Sequence, residues 1–143
     1  MTIAIGADHA SYDYKEHFKA ALTAQGHTVI DFGPGSTDSV DYPDFVHPTA
    51  EAVSSGEAQL GIVVCGSGNG VAMTANKHAD IRCALCWQVE LARLARQHNN
   101  ANMIAIPARF VAVQLGQQMV DAFVSTDFEG GRHQRRVEKI ACR

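Results

Sequence analysis

The 143-residue chain is 46% hydrophobic and 19% charged, enough for one domain with a real core and too short for two. Its formal net charge of -3 excludes a broadly basic surface, so no nucleic-acid partner is expected and any bound anion must be met by a local cluster of donors. No uninterrupted apolar segment is long enough to span a bilayer, so no membrane partner is expected, and four unevenly spaced cysteines do not read as a disulfide scaffold.

Met1 leads into Thr2-Ile3-Ala4-Ile5 with no basic n-region and no cleavable apolar stretch, so a secretory signal is not expected. Together with reduced thiols, this predicts a soluble cytoplasmic protein. Ile3–Ala7 predicts the first strand, followed by Asp8-His9 and a helix over Ser11–Gln25. Thr28–Phe32 predicts the second strand; Gly33-Pro34-Gly35-Ser36 reads as a loop, and Tyr42–Ser54 as a helix. Leu60–Cys65 is a continuously apolar third strand, which belongs in a sheet covered on both faces. After it come Gly66–Gly70 and a helix over Asn69–Ala79. Arg82–Cys86 predicts a fourth strand and Val89–Gln97 a helix. Met103–Ile106 predicts the fifth strand, followed by Pro107-Ala108-Arg109 and a helix over Phe110–Val124. Glu129-Gly130-Gly131 reads as a hinge before a last short helix at about 132–142.

Repeated strand–helix order predicts one domain over residues 1–143, a three-layer α/β/α Rossmann-like fold with a five-stranded, mostly parallel sheet. Right-handed crossovers place the carboxyl ends of the strands on one edge, where open α/β sheets bind their ligands. The polar residues that follow the strands are therefore read together.

The sharpest motif is Cys65-Gly66-Ser67-Gly68-Asn69-Gly70, a buried strand passing through a glycine-rich turn into a helix. Glycines let the backbone turn tightly and aim several N–H groups at one point, and a helix start adds partial positive charge. Such a nest holds a phosphate or the oxyanion of an enediolate. Val71-Ala72 stand where a Walker loop requires Lys and Ser or Thr, and the third glycine comes too early for a dinucleotide fingerprint. A cysteine at the base of such a turn is drawn toward the thiolate, which acts as base or nucleophile; the alternative for Cys65 is a small buried apolar side chain.

Arg132 and Arg136 lie one helical turn apart and can converge on a phosphate, or they can belong to a solvated helix face. His98 and Asn99 close a helix: His98 is either an acid–base group or a helix-end histidine, and Asn there serves merely to end helices. Asp8 can cap the helix that follows it. His133 has no identifiable partner. Cys83-Ala84-Leu85-Cys86 has redox or zinc half-site spacing, but within a strand those residues face opposite sides and no second ligand pair exists; they read as structural.

Taken in order, Gly6-Ala7-Asp8-His9-Ala10, Asp41-Tyr42-Pro43-Asp44, the Cys65–Gly70 loop, Ala75-Asn76-Lys77, Arg96-Gln97-His98-Asn99 and Glu129-Gly130-Gly131-Arg132-His133 resemble the ribose-5-phosphate isomerase B family, over essentially the whole chain. That family also includes allose-6-phosphate and galactose-6-phosphate isomerases. The resemblance implies an aldose–ketose isomerase acting on a small-molecule sugar phosphate, ribose 5-phosphate first, without metal or other cofactor. It implies Cys65 as general base and the Gly66, Ser67, Gly68, Asn69 and Gly70 loop as the enediolate cradle, with Ser67 relaying a proton. It also implies Asp8 and His98 in ring opening, and Tyr42 and Asn99 at substrate oxygens. His9, Arg132 and Arg136 are the implied phosphate ligands, and Arg109 a weaker fourth. One branch of the family uses a glutamate just after the loop as base; Cys65 and Val71 place this chain with the cysteine type. The family's homodimers, or dimers of dimers, share sites, with His98, Asn99 and Arg109 of one chain meeting Cys65 of the other. The competing readings are the same chemistry on another sugar phosphate, a phosphosugar-binding module without catalysis, and a thiol redox protein built on Cys83 and Cys86.

Overall fold

The computed structural model describes residues 1–142. Its strands are β1 (Thr2–Ala7), β2 (Thr28–Asp31), β3 (Leu60–Cys65), β4 (Cys83–Leu85) and β5 (Met103–Pro107). The helices are α1 (Tyr12–Ala24), α2 (Pro43–Ser54), α3 (Asn69–Ala75), α4 (Val89–Asn99), α5 (Val113–Ser125) and α6 (Arg132–Glu138), with a short 3₁₀ turn at His9–Ser11. The sheet runs β2-β1-β3-β5-β4, and every pairing is parallel rather than most of them. Each link between strands carries a helix, which is the crossover that parallel pairing requires.

The two faces of the sheet sort the core by the period of two. Ile3, Ile5, Leu60, Ile62, Val64, Ile104 and Ile106 pack with Phe18, Leu22, Ala92, Met119 and Phe123 of α1, α4 and α5. Ala4, Val63, Cys65, Met103 and Ala105 face the other way, with Val46, Ala50 and Val53 of α2 and Val71, Ala72 and Ala75 of α3. Both faces are buried, which is why β3 reads as an unbroken apolar run. No helix among the described residues is long and apolar enough to cross a membrane.

Several helix ends differ from the sequence reading, each for a local reason. The Asp8 carboxylate accepts the Ser11 N–H at 2.8 Å, and the resulting 3₁₀ turn delays α1 to Tyr12. Helix α3 stops at Ala75 rather than Ala79, because the Asn76 amide donates to the Cys83 carbonyl and accepts from its N–H, drawing the chain toward β4. An extended Ala112 delays α5 to Val113. The last turn of α6 tightens into i→i+3 bonds at Lys139 and Ile140, so regular helix ends at Glu138.

Lys15 is the largest fully buried side chain, and its ammonium lies 2.7 Å from Asp31 and 2.9 Å from Glu16. Burial pushes the Asp31 carboxyl up, but hydrogen bonds from Lys15, Lys19 and the Gly33 amide outweigh that and hold it below its ordinary value. A depressed carboxylate contributes stability above the unfolded pKa of about 4 and loses it as the pH falls through the folded value. The melting-temperature deficit of Asp31→Asn relative to wild type is therefore expected to be greatest near neutrality and to shrink below about pH 4. A deficit unchanged across thermal melts from pH 7 to pH 3 would contradict this.

Candidate active site

The strand order reverses direction at β1 and β3, and a crevice opens where such a switch occurs. A cleft of about 420 Å³ lies there, lined by Asp8, Tyr42, Cys65, Gly66, Ser67, Gly70, Arg109 and Phe110. Residues that follow three different strands thus meet in one place. Backbone bonds hold them together: Asp8 N–H donates to Val64 O (3.0 Å), Ala108 N–H to Cys65 O (2.9 Å) and Arg109 N–H to Gly66 O (2.9 Å).

Cys65 is the last residue of β3, 6% exposed, at the floor of the cleft. Its sulfur accepts the Gly68 N–H at 3.2 Å, so a backbone donor is already aimed at it. Gly68 has φ +75°, and a side chain there would also run into Leu85. The Asn69 N–H is used as well, donating to Ser67 Oγ at 3.2 Å. The loop's free donors are therefore fewer than the sequence implied: the amides of Gly66, Ser67 and Gly70 have no partner among the described residues. Asn69 itself starts α3, exposed and outside the lining of the cleft. Ser67 is exposed and retains its hydroxyl proton for donation.

Tyr42, at the start of α2, sets its hydroxyl end against the loop, and a methyl group at Gly70 would come within 2.5 Å of it. Asp8 is both cap and cleft residue; its Oδ1 takes the Ser11 N–H while the side chain remains only partly buried. The Nδ1 of His9 lies 3.1 Å from the Val40 amide nitrogen and 3.3 Å from the Val40 carbonyl oxygen, so the backbone at Val40 holds the ring through that nitrogen. Arg109 lines the same cleft as the Cys65 of its own chain, which corrects the expectation that it comes from the opposing one. Phe110, 76% exposed, also lines the cleft and was missed; read as the first residue of a helix that in fact begins at Val113, it carried no signal for a site.

His98, Asn99, Arg132 and Arg136 are elsewhere. Helix α4 starts beyond the carboxyl end of β4 and runs back past the sheet; its 11 residues cover about 16 Å. His98 and Asn99 therefore stand at the opposite edge from Cys65, near the turn into β5. Arg132 and Arg136 are exposed on α6, which packs against α4. The two helices meet where the imidazoles of His98 and His133 stack, with centroids 4.3 Å apart and planes within 13°. His133 thus has partners that its sequence context concealed. Its pKa is lowered, first by desolvation and then by the charges of His98, Arg132 and Arg136, against the opposing pull of Glu129.

The family profile described as Ribose/Galactose Isomerase matches residues 3–140. The chain belongs to this family. It is 43% identical over 140 residues to ribose-5-phosphate isomerase B of Escherichia coli, covering 98% of this chain and 94% of that protein. It is 46% identical over 143 residues to the Mycobacterium leprae protein of the same name, covering 99% and 88%. Among solved structures, ribose-5-phosphate isomerase B of Clostridium thermocellum superimposes with a TM-score of 0.96 at 46% identity, over 98% of this chain and 95% of that one. The Mycoplasma genitalium protein, solved with bound ribulose-5-phosphate, gives 0.92 at 40% identity over 97% and 93%. In this ribose/galactose isomerase Cys83 and Cys86 are core residues on opposite faces of the sheet, as the strand period required. Burial pushes the Cys86 thiol up to about 12 and Cys83 further still, so neither is a thiolate at neutral pH.

Proposed function

We propose that the chain interconverts D-ribose 5-phosphate and D-ribulose 5-phosphate through an enediolate, with Cys65 as the general base. The observation that carries this is Cys65, on the floor of a cleft that Ser67 also lines, in a loop whose Gly66, Ser67 and Gly70 amides are free. The Cys65 thiolate takes the proton from C2 of the open-chain aldose. The electron pair moves into a C1–C2 double bond, and the carbonyl at O1 becomes an oxyanion. Amides of Ser67 and Gly70 are the donors for that developing charge. Ser67 passes a proton from O2 to O1, and the thiol returns its proton to C1, leaving the carbonyl at C2. The substrate supplies its own electron pair, so the balance closes with no redox partner.

The ends of the sugar need groups that one chain keeps apart. Asp8 stands in the cleft, while His98 and Asn99 lie about 16 Å down α4, so the proposed ring-opening pair of Asp8 and His98 forms across two copies of the chain. Arg132 and Arg136 travel with His98 on the neighbouring α6. Arg109 lines the cleft and His9 follows Asp8 in the chain, and these four form the proposed phosphate grip. This favours a homodimer, or a dimer of dimers, with sites at the subunit boundary. A reduced, cytoplasmic setting accords with the free thiols and with the relatives' metabolic role.

The test is turnover of ribose 5-phosphate in deuterium oxide. An isomerase forms ribulose 5-phosphate and exchanges the C2 proton with solvent, both visible by proton NMR. Binding without exchange would reduce the protein to a phosphosugar receptor. A higher kcat/KM on allose 6-phosphate than on ribose 5-phosphate would move the substrate to the longer sugar.

A further inference from the structure

Lys15 is fully buried, and its ammonium donates to Asp31 Oδ2 at 2.7 Å and to Glu16 Oε1 at 2.9 Å. Burying an ion pair costs desolvation that the mutual attraction only partly returns, so such pairs are weak sources of stability. A space that needed only filling is served as well by an apolar side chain. What the cation holds in place is visible in the bonds that continue from Asp31.

Those bonds close a clamp around the turn that carries His9. Asp31 Oδ1 accepts the Gly33 N–H at 2.9 Å, and Gly33 O accepts the Ala7 N–H at 3.0 Å. The stretch Asp31-Phe32-Gly33 thus grips the chain on both sides of the His9–Ser11 turn, at Ala7 before it and at Lys15 after it. Asp8 has anchors of its own, because its N–H donates to Val64 O and its carboxylate accepts the Ser11 N–H. Among the described residues, the His9 ring is hydrogen-bonded to the backbone of Val40 alone, in the same β2–α2 loop as Gly33. We propose that Lys15 and Asp31 are positioning residues for His9, setting both the turn that bears the imidazole and the loop that holds its ring.

This role rests on the proposed function, in which His9 belongs to the phosphate grip. Cys65 and Gly66 are tied instead to Ala108 and Arg109, so the clamp leaves the base where it is. A grip made equally in the ground and transition states appears in KM and not in kcat. The clamp should therefore be read in KM.

Steady-state kinetics on ribose 5-phosphate, with folding checked by circular dichroism, test this. Lys15→Met keeps an unbranched side chain, and Lys19 Nζ, 2.9 Å from Asp31 Oδ2, still meets the carboxylate. KM is expected to rise at least about fivefold while kcat changes less than about twofold. Asp31→Asn breaks the same ion pair from the other side and is expected to show the same split, even where Lys15→Met fails to fold. His9→Asn raises KM by itself, and adding Lys15→Met to it should raise KM no further, because both act on one grip. A merely structural role for Lys15 would multiply the two effects. Unchanged KM in Lys15→Met and Asp31→Asn, a loss confined to kcat, or independent effects in the double variant would overturn the positioning role alone. Unchanged KM in His9→Asn would overturn the phosphate grip at His9, and this role with it.

Discussion

Replacing Cys65 with alanine is expected to lower kcat roughly 10²- to 10⁴-fold, the usual cost of removing a positioned base. The fall should be in kcat rather than KM, because the sulfur acts on a proton that moves only in the transition state, while the phosphate grip is made elsewhere. The variant should fold, since it removes one atom from a site at the edge of the core. Exchange of the substrate C2 proton with deuterium should fall with turnover, because both pass through the same abstraction. Near-normal turnover, or exchange that persists while turnover is lost, would take the sulfur out of the mechanism. No glutamate stands just after the loop to take over, because that position is Val71, fully buried in the α2–α3 core.

A comparably large effect is expected from mixing two inactive proteins. Cys65 and His98 stand at opposite edges of the sheet in one chain, so Cys65→Ala and His98→Asn disable different halves of the proposed site. In a hybrid dimer one site collects both substitutions and the other collects neither. Random reassociation makes about half the dimers hybrids, each with one intact site, so activity should recover to about a quarter of wild type. The measurement is the turnover of each variant alone and of the pair after denaturation and refolding together. No recovery, with hybrid formation confirmed by a size or charge tag, would mean that each chain works with its own His98 or without it.

The strands and the loop were legible because they rest on local rules. Gly61-Ile62-Val63-Val64-Cys65 is apolar at every position, which only a strand covered on both sides explains, and Gly66, Gly68 and Gly70 have spacing that serves a tight turn. What remained hidden depends on pairings across the sequence. Asn76 ends α3 through its bonds to Cys83, and nothing in the helical pattern of Asn69–Ala79 announces that partner. His133 read as a lone histidine because the residue it stacks on lies in another helix. Arg109 was placed across the subunit boundary by resemblance, whereas the Arg109–Gly66 backbone bond keeps it with its own Cys65. The loop's glycines were visible, but the use of the Gly68 and Asn69 amides inside the loop was not.

The alternation of β3 has a bearing on how the thiol is aimed. Gly61, Val63 and Cys65 share one side of the strand, and Leu60, Ile62 and Val64 the other. A slip of one residue against β1 or β5 would swing the sulfur toward α1, α4 and α5 and bring a valine to the cleft floor. The interlocking of isoleucines and valines far below the cleft therefore sets the heading of a single reactive atom. Damage to that interior can silence the chemistry while every polar group around the sugar stays in place.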